Sequence, residues 1–174
     1  MDNITIDGVL LTPLKQITHP KGDVFHAMKC VDPGFEGFGE VYFSSVLQGL
    51  VKAWKRHSRM TLNLVCIVGK IHFVLYDGRE NSSTFGKYME VILSPELPEL
   101  YRRITIPAGV WMGFVGIGEG KSILLNVANI PHDPLEQVNI PIEESDIKFD
   151  FNKISRSISV SYTHLRAHET ELHL

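Results

Sequence analysis

The sequence predicts an all-β sandwich or barrel with little helix. Short runs rich in Val, Ile, Leu and Phe recur from Val41 to Val127 at intervals of roughly 8 to 15 residues, turn signals separate them, and no segment sustains an apolar 3.6-residue period. A chain of 174 residues suits one domain with one core, burying roughly two-thirds of the surface its unfolded form exposes.

Taken in order, Thr61 to Val68 and Lys70 to Tyr76 are two apolar runs that meet at Gly69, a residue suited to a bend or bulge where a sheet curves. Asp77-Gly78 closes the second run as a turn dipeptide. Tyr88 to Leu93 is a further strand, closed by Ser94-Pro95, and Leu97 to Tyr101 has room for one helical turn. Arg103 to Ile106 follows, closed by Pro107-Ala108-Gly109. Val110 to Ile117 and Lys121 to Ala128 flank Gly118-Glu119-Gly120, a spacing that predicts a hairpin.

Residues 1–156 are thus expected to form a single domain. The stretch 157–174 changes character: it holds three of the eight histidines and shows no strand alternation. Its string SYTHLRAHET is similar to translated sequencing-adapter sequence. It is read as a disordered or non-native tail, and its histidines are excluded from the site.

Composition excludes several function classes. With 44% hydrophobic residues, 21% charged residues and a net charge of -3, the chain offers no basic footprint for nucleic acid. Its longest apolar runs, such as Leu62 to Val68, fall far short of the roughly 20 residues of a membrane span. The opening MDNITIDGVLL lacks a basic region followed by a long apolar one, so the expected location is the cytoplasm. Cys30 and Cys66 are too few for a disulfide framework, and Cys66, inside TLNLVCIV, reads as a small buried hydrophobe.

Four blocks in order resemble the dTDP-4-dehydrorhamnose 3,5-epimerase family. DGRENSSTFGKYMEVILSPE, from Asp77 to Glu96, follows the family's Asp-Leu-Arg, Ser-Pro-Thr-Phe-Gly-Lys-Trp and Leu-Ser-x-Glu pattern. IPAGVWMGFVGIGEG, from Ile106 to Gly120, is similar to Ile-Pro-x-Gly-x-x-His-Gly-Phe. Val51 to Ile71 stands where the family has Leu-Arg-Gly-Leu-His, and NIPHDPLEQ, from Asn129 to Gln137, stands where it has Tyr-Tyr-x-Pro-x-x-Glu. The resemblance implies a cupin, a double-stranded β-helix jelly-roll barrel that dimerises and holds a nucleotide-linked sugar. It is closest to a divergent branch carrying Trp-His-x-His before the first barrel strand, which reads Trp54-Lys55-Arg56-His57 here.

The reaction that the resemblance implies, epimerisation beside the 4-keto group of a dTDP-sugar, needs a base, a donor for the enolate oxygen and an acid on the opposite face. Carried over by position, the family's base falls on Lys55, its neighbouring arginine on Lys52, its enolate-stabilising lysine on Leu62, its tyrosine acid on Leu125 and the histidine of its His-Gly-Phe block on Met112. Only Lys52 keeps the expected charge. A lysine still serves as base if burial or neighbouring cations lower its pKa, and His57 is the other candidate. Side chains two apart on a strand share a face, so Lys55 and His57 both point into the barrel with Trp54 and Arg56 outward, or the set is reversed. If they point out, they are a solvated strand end.

Glu40 and Tyr42 stand where the family has polar substrate-facing residues, although alternation in GFGEVYFS places Tyr42 on a sheet face in any β-protein. Asn126, inside the otherwise apolar strand of LLNVAN, requires a hydrogen-bond partner, either a sugar or a neighbouring backbone group. Trp111 and Trp54 either pack or stack on a base or sugar ring, and Trp111 is taken as a substrate-binding candidate. The barrel has no His-x-His, and no Glu lies between His57 and Gly69, so neither metal nor cofactor is expected. Two functions remain: an epimerase or isomerase of surface polysaccharide biosynthesis acting on a dTDP-4-keto-6-deoxyhexose, or an inactive cupin that binds a nucleotide sugar or serves in assembly. The direction in which Lys55, His57, Glu40 and Tyr42 point separates them.

Overall fold

A computed structural model describes residues 5–154. The expected tail, 157–174, lies outside the described residues. Twelve strands are described: β1 (Leu10–Pro13), β2 (Gln16–Ile17), β3 (Val24–Phe25), β4 (Glu40–Leu47), β5 (Val51–His57), β6 (Leu62–Val68), β7 (Ile71–Asp77), β8 (Tyr88–Leu93), β9 (Arg102–Ile106), β10 (Val110–Gly116), β11 (Lys121–Ala128) and β12 (Gln137–Asn139). Besides single turns of 3-10 helix at Pro98–Leu100, Pro134–Glu136 and Ile142–Glu144, only residues 152–154 are helical among the described residues, so the fold is all-β as the sequence predicts. Among the described residues, no helix is long and apolar enough to cross a membrane.

Ten strands form two antiparallel five-stranded sheets, in the orders β1-β9-β6-β11-β4 and β12-β5-β10-β7-β8, while β2 and β3 pair in a separate ribbon. From β4 to β7 and again from β9 to β12, successive strands alternate between the two sheets. This is the cupin jelly roll. Gly69, at a φ of 76°, turns the chain from β6 in the first sheet to β7 in the second, a backbone conformation that glycine adopts at little cost.

The hairpin expected across Gly118-Glu119-Gly120 does not form. β10 pairs with β5 and β7 in the second sheet, and β11 with β4 and β6 in the first. The reason is burial: every residue of β10 is buried, so both of its backbone edges need strand partners. A short glycine loop serves a sheet-to-sheet crossover as well as a hairpin.

Inward alternation builds the core between the sheets from Leu62, Leu64, Ile71, Phe73, Leu75, Val91, Ile104 and Ile106. Burying each such side chain contributes roughly 1.5–3 kcal/mol. On the outer face of the second sheet, Trp54, Val74, Trp111 and Val115 lie under Phe149, Phe151 and Ile154 of the C-terminal segment. On the outer face of the first sheet, buried Arg103 donates to the carbonyls of Ala27 and Pro33 at 2.9 and 2.7 Å and pairs with Asp32 at 3.1 Å. That clamp lays the N-terminal segment over β9 and β6.

The block with the fullest family resemblance is structural. Asp77, fully buried, accepts from the Arg79 Nε and Nη2 at 2.8 Å each, from Ser82 Oγ at 2.6 Å and from Thr84 Oγ1 at 2.7 Å. Burial works against its charge, but these donors hold its carboxyl far below the usual carboxylate range. Asp77→Ala strands the guanidinium and both hydroxyls, and is expected to cost about 3–5 kcal/mol. Urea unfolding checks this: the midpoint drops while the m-value stays constant.

Candidate active site

A cavity of about 460 Å³ opens between the sheets. β4 and β11 of the first sheet line one wall with Tyr42, Ser44, Leu124 and Asn126. β5 and β10 of the second sheet line the other with Lys52, Lys55, Met112 and Phe114, and Asn139 to Pro141 lie at its edge. The volume and the few polar groups on apolar walls fit a small-molecule site.

The two lysines share the cavity because β5 carries an extra residue. Met112 pairs with Lys55 and Phe114 with Lys52, so two steps along β10 answer three along β5. Strict alternation would put Lys52 and Lys55 on opposite faces; the bulge returns both to the inside. The Ala53-Trp54 peptide within it is cis. Opposite stands Gly113, where an added Cβ would come within 2.6 Å of the Ala53 Cβ and 2.7 Å of the Phe151 ring.

Lys52 donates to the Ser45 carbonyl at 2.6 Å. The half-buried Lys55 ammonium has no hydrogen-bond or ion-pair partner among the described residues. Burial lowers its pKa below the ordinary 10.5, and the carboxylates of Glu136 and Glu40 partly oppose that shift. On the facing wall, the Asn126 amide oxygen accepts from the Asn63 backbone N–H at 3.2 Å, which turns its Nδ2 toward the Tyr42 oxygen at 3.1 Å. Tyr42 therefore accepts from Asn126, and its own proton is left for a ligand.

His57 also points inward, but lies buried beside the cavity rather than lining it. Its Nδ1 hydrogen-bonds Glu136, whose other oxygen accepts the backbone N–H groups of Arg59 and Met60 at 3.1 and 3.2 Å. These donors hold the Glu136 carboxyl below its ordinary value against the cost of burial. Burial pushes His57 below its ordinary 6.5 against the opposing pull of the Glu136 carboxylate, to which its Nδ1 donates, and the Lys55 cation adds to the lowering. Its Nε2 is buried without a hydrogen-bond partner.

The structure brings together Tyr42, Lys52, Lys55 and Asn126. Glu40 is within electrostatic reach of Lys55 but does not line the cavity. Trp111 is corrected: it packs on the outer face of the second sheet with Arg56 stacked 4.8 Å above its ring, because inward alternation belongs to Met112. The Trp54 ring packs there too, 5.3 Å from Phe151, while Ala53 and Trp54 also contribute to the lining of the cavity. Leu125, given the position of the family's tyrosine acid, is not among the cavity-lining residues; its neighbours Leu124 and Asn126 are. Sequence reasoning missed Ser44, Asn139 and Glu136. The last had a signal, as the glutamate of the NIPHDPLEQ block, but its partner lies 79 residues earlier.

The dyad makes stability depend on pH. His57 has a folded pKa below its unfolded value, so the unfolded chain binds more protons once pH falls under about 6.5, and stability declines. Glu136, also lowered, adds stability above its ordinary 4.5 that is lost as pH falls through its folded value. The thermal midpoint is expected to drop between neutral pH and pH of about 5, and His57→Gln to flatten that drop.

The family model described as dTDP-4-dehydrorhamnose 3,5-epimerase matches residues 40–166. A probable low-salt glycan biosynthesis epimerase of Haloferax volcanii is 32% identical over 114 residues, covering 64% of this chain and 71% of the relative. A spore coat polysaccharide biosynthesis protein of Bacillus subtilis is 26% identical over 149 residues, covering 84% and 97%. The crystal structure of a dTDP sugar isomerase from Desulfovibrio desulfuricans G20 superposes with a TM-score of 0.80 at 42% identity, covering 84% of this chain and 92% of that one. A dTDP-6-deoxy-D-glucose-3,5-epimerase from Legionella pneumophila, solved with dTDP-4-keto-L-rhamnose, shares the fold at a TM-score of 0.69 and 22% identity, covering 80% and 76%. With a family match over most of its length and a structural relative at 42% identity over 84% of it, the chain belongs to the dTDP-4-dehydrorhamnose 3,5-epimerase family and is an epimerase- or isomerase-like enzyme of nucleotide-sugar metabolism.

Proposed function

We propose that this protein exchanges a proton next to the keto group of a dTDP-4-keto-6-deoxyhexose, in the biosynthesis of a surface polysaccharide. The observation that carries the reading is the placement of Lys55 and Tyr42 on opposite sheets across one cavity. Epimerisation requires a proton to leave one face of a carbon and return to the other. An amine on one wall and a phenol with a free proton on the facing wall meet that requirement.

The neighbouring groups support it. Lys52 and Lys55 supply positive charge where a ketone oxygen would gain negative charge, within apolar walls that strengthen the interaction. The names of the Haloferax and Bacillus relatives favour glycan or polysaccharide synthesis. Incubation with dTDP-4-keto-6-deoxyglucose in deuterium oxide tests the reading by mass spectrometry. Wild type is expected to take up deuterium and Lys55→Ala to do so about 100-fold more slowly or less. A sugar that binds wild type without any uptake would move the protein to the non-catalytic binding reading.

A second copy of the chain is the partner this reading expects. β4 is an edge strand of the first sheet, and its outward alternate positions present Val41, Phe43, Ser45 and Leu47, with Phe43 64% exposed. The N-terminal clamp reaches β9 and β6 but leaves this stripe uncovered, and exposed large apolar side chains on an edge strand favour an interface. Sedimentation is expected to give a dimer for the native chain and a monomer for Phe43→Glu. A monomeric wild type would remove the dimer from the reading.

A further inference from the structure

The residues lining the cavity include no carboxylate and no imidazole. Two amines are present, and they differ. Lys52 is committed to the Ser45 carbonyl, whereas Lys55 lines the cavity with no hydrogen-bond partner among the described residues. A free, partly desolvated amine in a mostly apolar pocket is the arrangement that makes lysine a nucleophile toward carbonyl carbon.

We propose that Lys55 acts covalently, condensing with the ketone carbon of the sugar nucleotide to form an iminium. The inference rests on the proposed ketone substrate and deepens it. The Nζ lone pair forms a bond to the carbonyl carbon, and the carbon–oxygen bond then breaks. The oxygen leaves as water, carrying one proton from the amine and one from solvent. The iminium acidifies the adjacent C–H; that proton passes to water, and its electron pair forms a neutral enamine. Reprotonation from the Tyr42 side and addition of water then restore the ketone and the amine.

The surroundings favour this route over proton abstraction from a free ketone. An iminium carries the same single positive charge as the ammonium, so Glu40 and Glu136, the carboxylates within electrostatic reach, remain complementary to it. Loss of the α-proton neutralises charge on nitrogen instead of creating an oxyanion, which suits walls formed by Leu64, Met112, Phe114 and Leu124. The lowered pKa of Lys55 raises the fraction of free amine and supports the same step.

Reductive trapping tests it. The intact chain is incubated with dTDP-4-keto-6-deoxyglucose and sodium cyanoborohydride, digested and mapped by mass spectrometry, alongside deuterium uptake without reductant. The Lys55 peptide is expected to gain the mass of the sugar nucleotide less one oxygen, at about tenfold or more the occupancy of any other lysine, and Lys55→Arg to lose the adduct while keeping its circular dichroism. An adduct without deuterium uptake would sustain the covalent step and overturn the proposed epimerisation. Uptake without a Lys55 adduct would overturn the covalent step and leave Lys55 as a simple base. An adduct spread evenly over Lys52 and surface lysines, or neither adduct nor uptake, would also overturn it.

Discussion

Aiming two cations three residues apart into one cavity from a single strand conflicts with the two-residue period of β structure, and β5 resolves the conflict with one extra residue opposite Gly113. The rest of the site depends on that bulge. It sets Lys52 and Lys55 against Phe114 and Met112 while Trp54, between them, turns outward into the second apolar layer. The absence of a side chain at Gly113 lets Phe151 approach the same point from outside. Packing beneath the C-terminal segment and geometry inside the barrel are therefore fixed together.

Beside this arrangement lies a buried pair that the cavity does not expose. His57 and Glu136 tie β5 to the segment entering β12, and two backbone N–H groups help keep the carboxylate charged. The pair acts on the cavity through its charge: Glu136 is the carboxylate that most favours a protonated Lys55, while desolvation acts the other way. The charge on Lys55 is a balance between burial, which disfavours it, and two carboxylates held out of contact, which favour it. The second wall follows the same logic, since Asn126 is oriented by a backbone N–H and in turn orients Tyr42.

The family blocks divide by physical role. Asp77 to Thr84 forms a closed set of charge-assisted hydrogen bonds at the end of β7 and touches nothing in the cavity. Its likeness to the family thus reports the barrel. Lys55 and Met112, the positions to which the sequence resemblance carries two of the family's histidines, both line the cavity.

Alternation, turn residues and the lack of helical period made the strands from β6 to β11 legible, because each reflects local backbone geometry and one-sided burial. The same local signals determined that Lys55 and His57 share a face and that Asn126 needs a partner. Sheet assignment was not local: β10 and β11 read as a hairpin until burial of β10 on both faces forced them into different sheets. Nor was the bulge, since an extra residue appears only against the partner strand's register. Trp111 and Met112 are adjacent apolar residues, and only the layer above the sheet decides which one meets the cavity. What the sequence by itself determined was the set of strands and the residue types available; the tertiary structure decided which of them meet, because contacts between residues far apart in the chain depend on pairing and layer order, which no local pattern encodes.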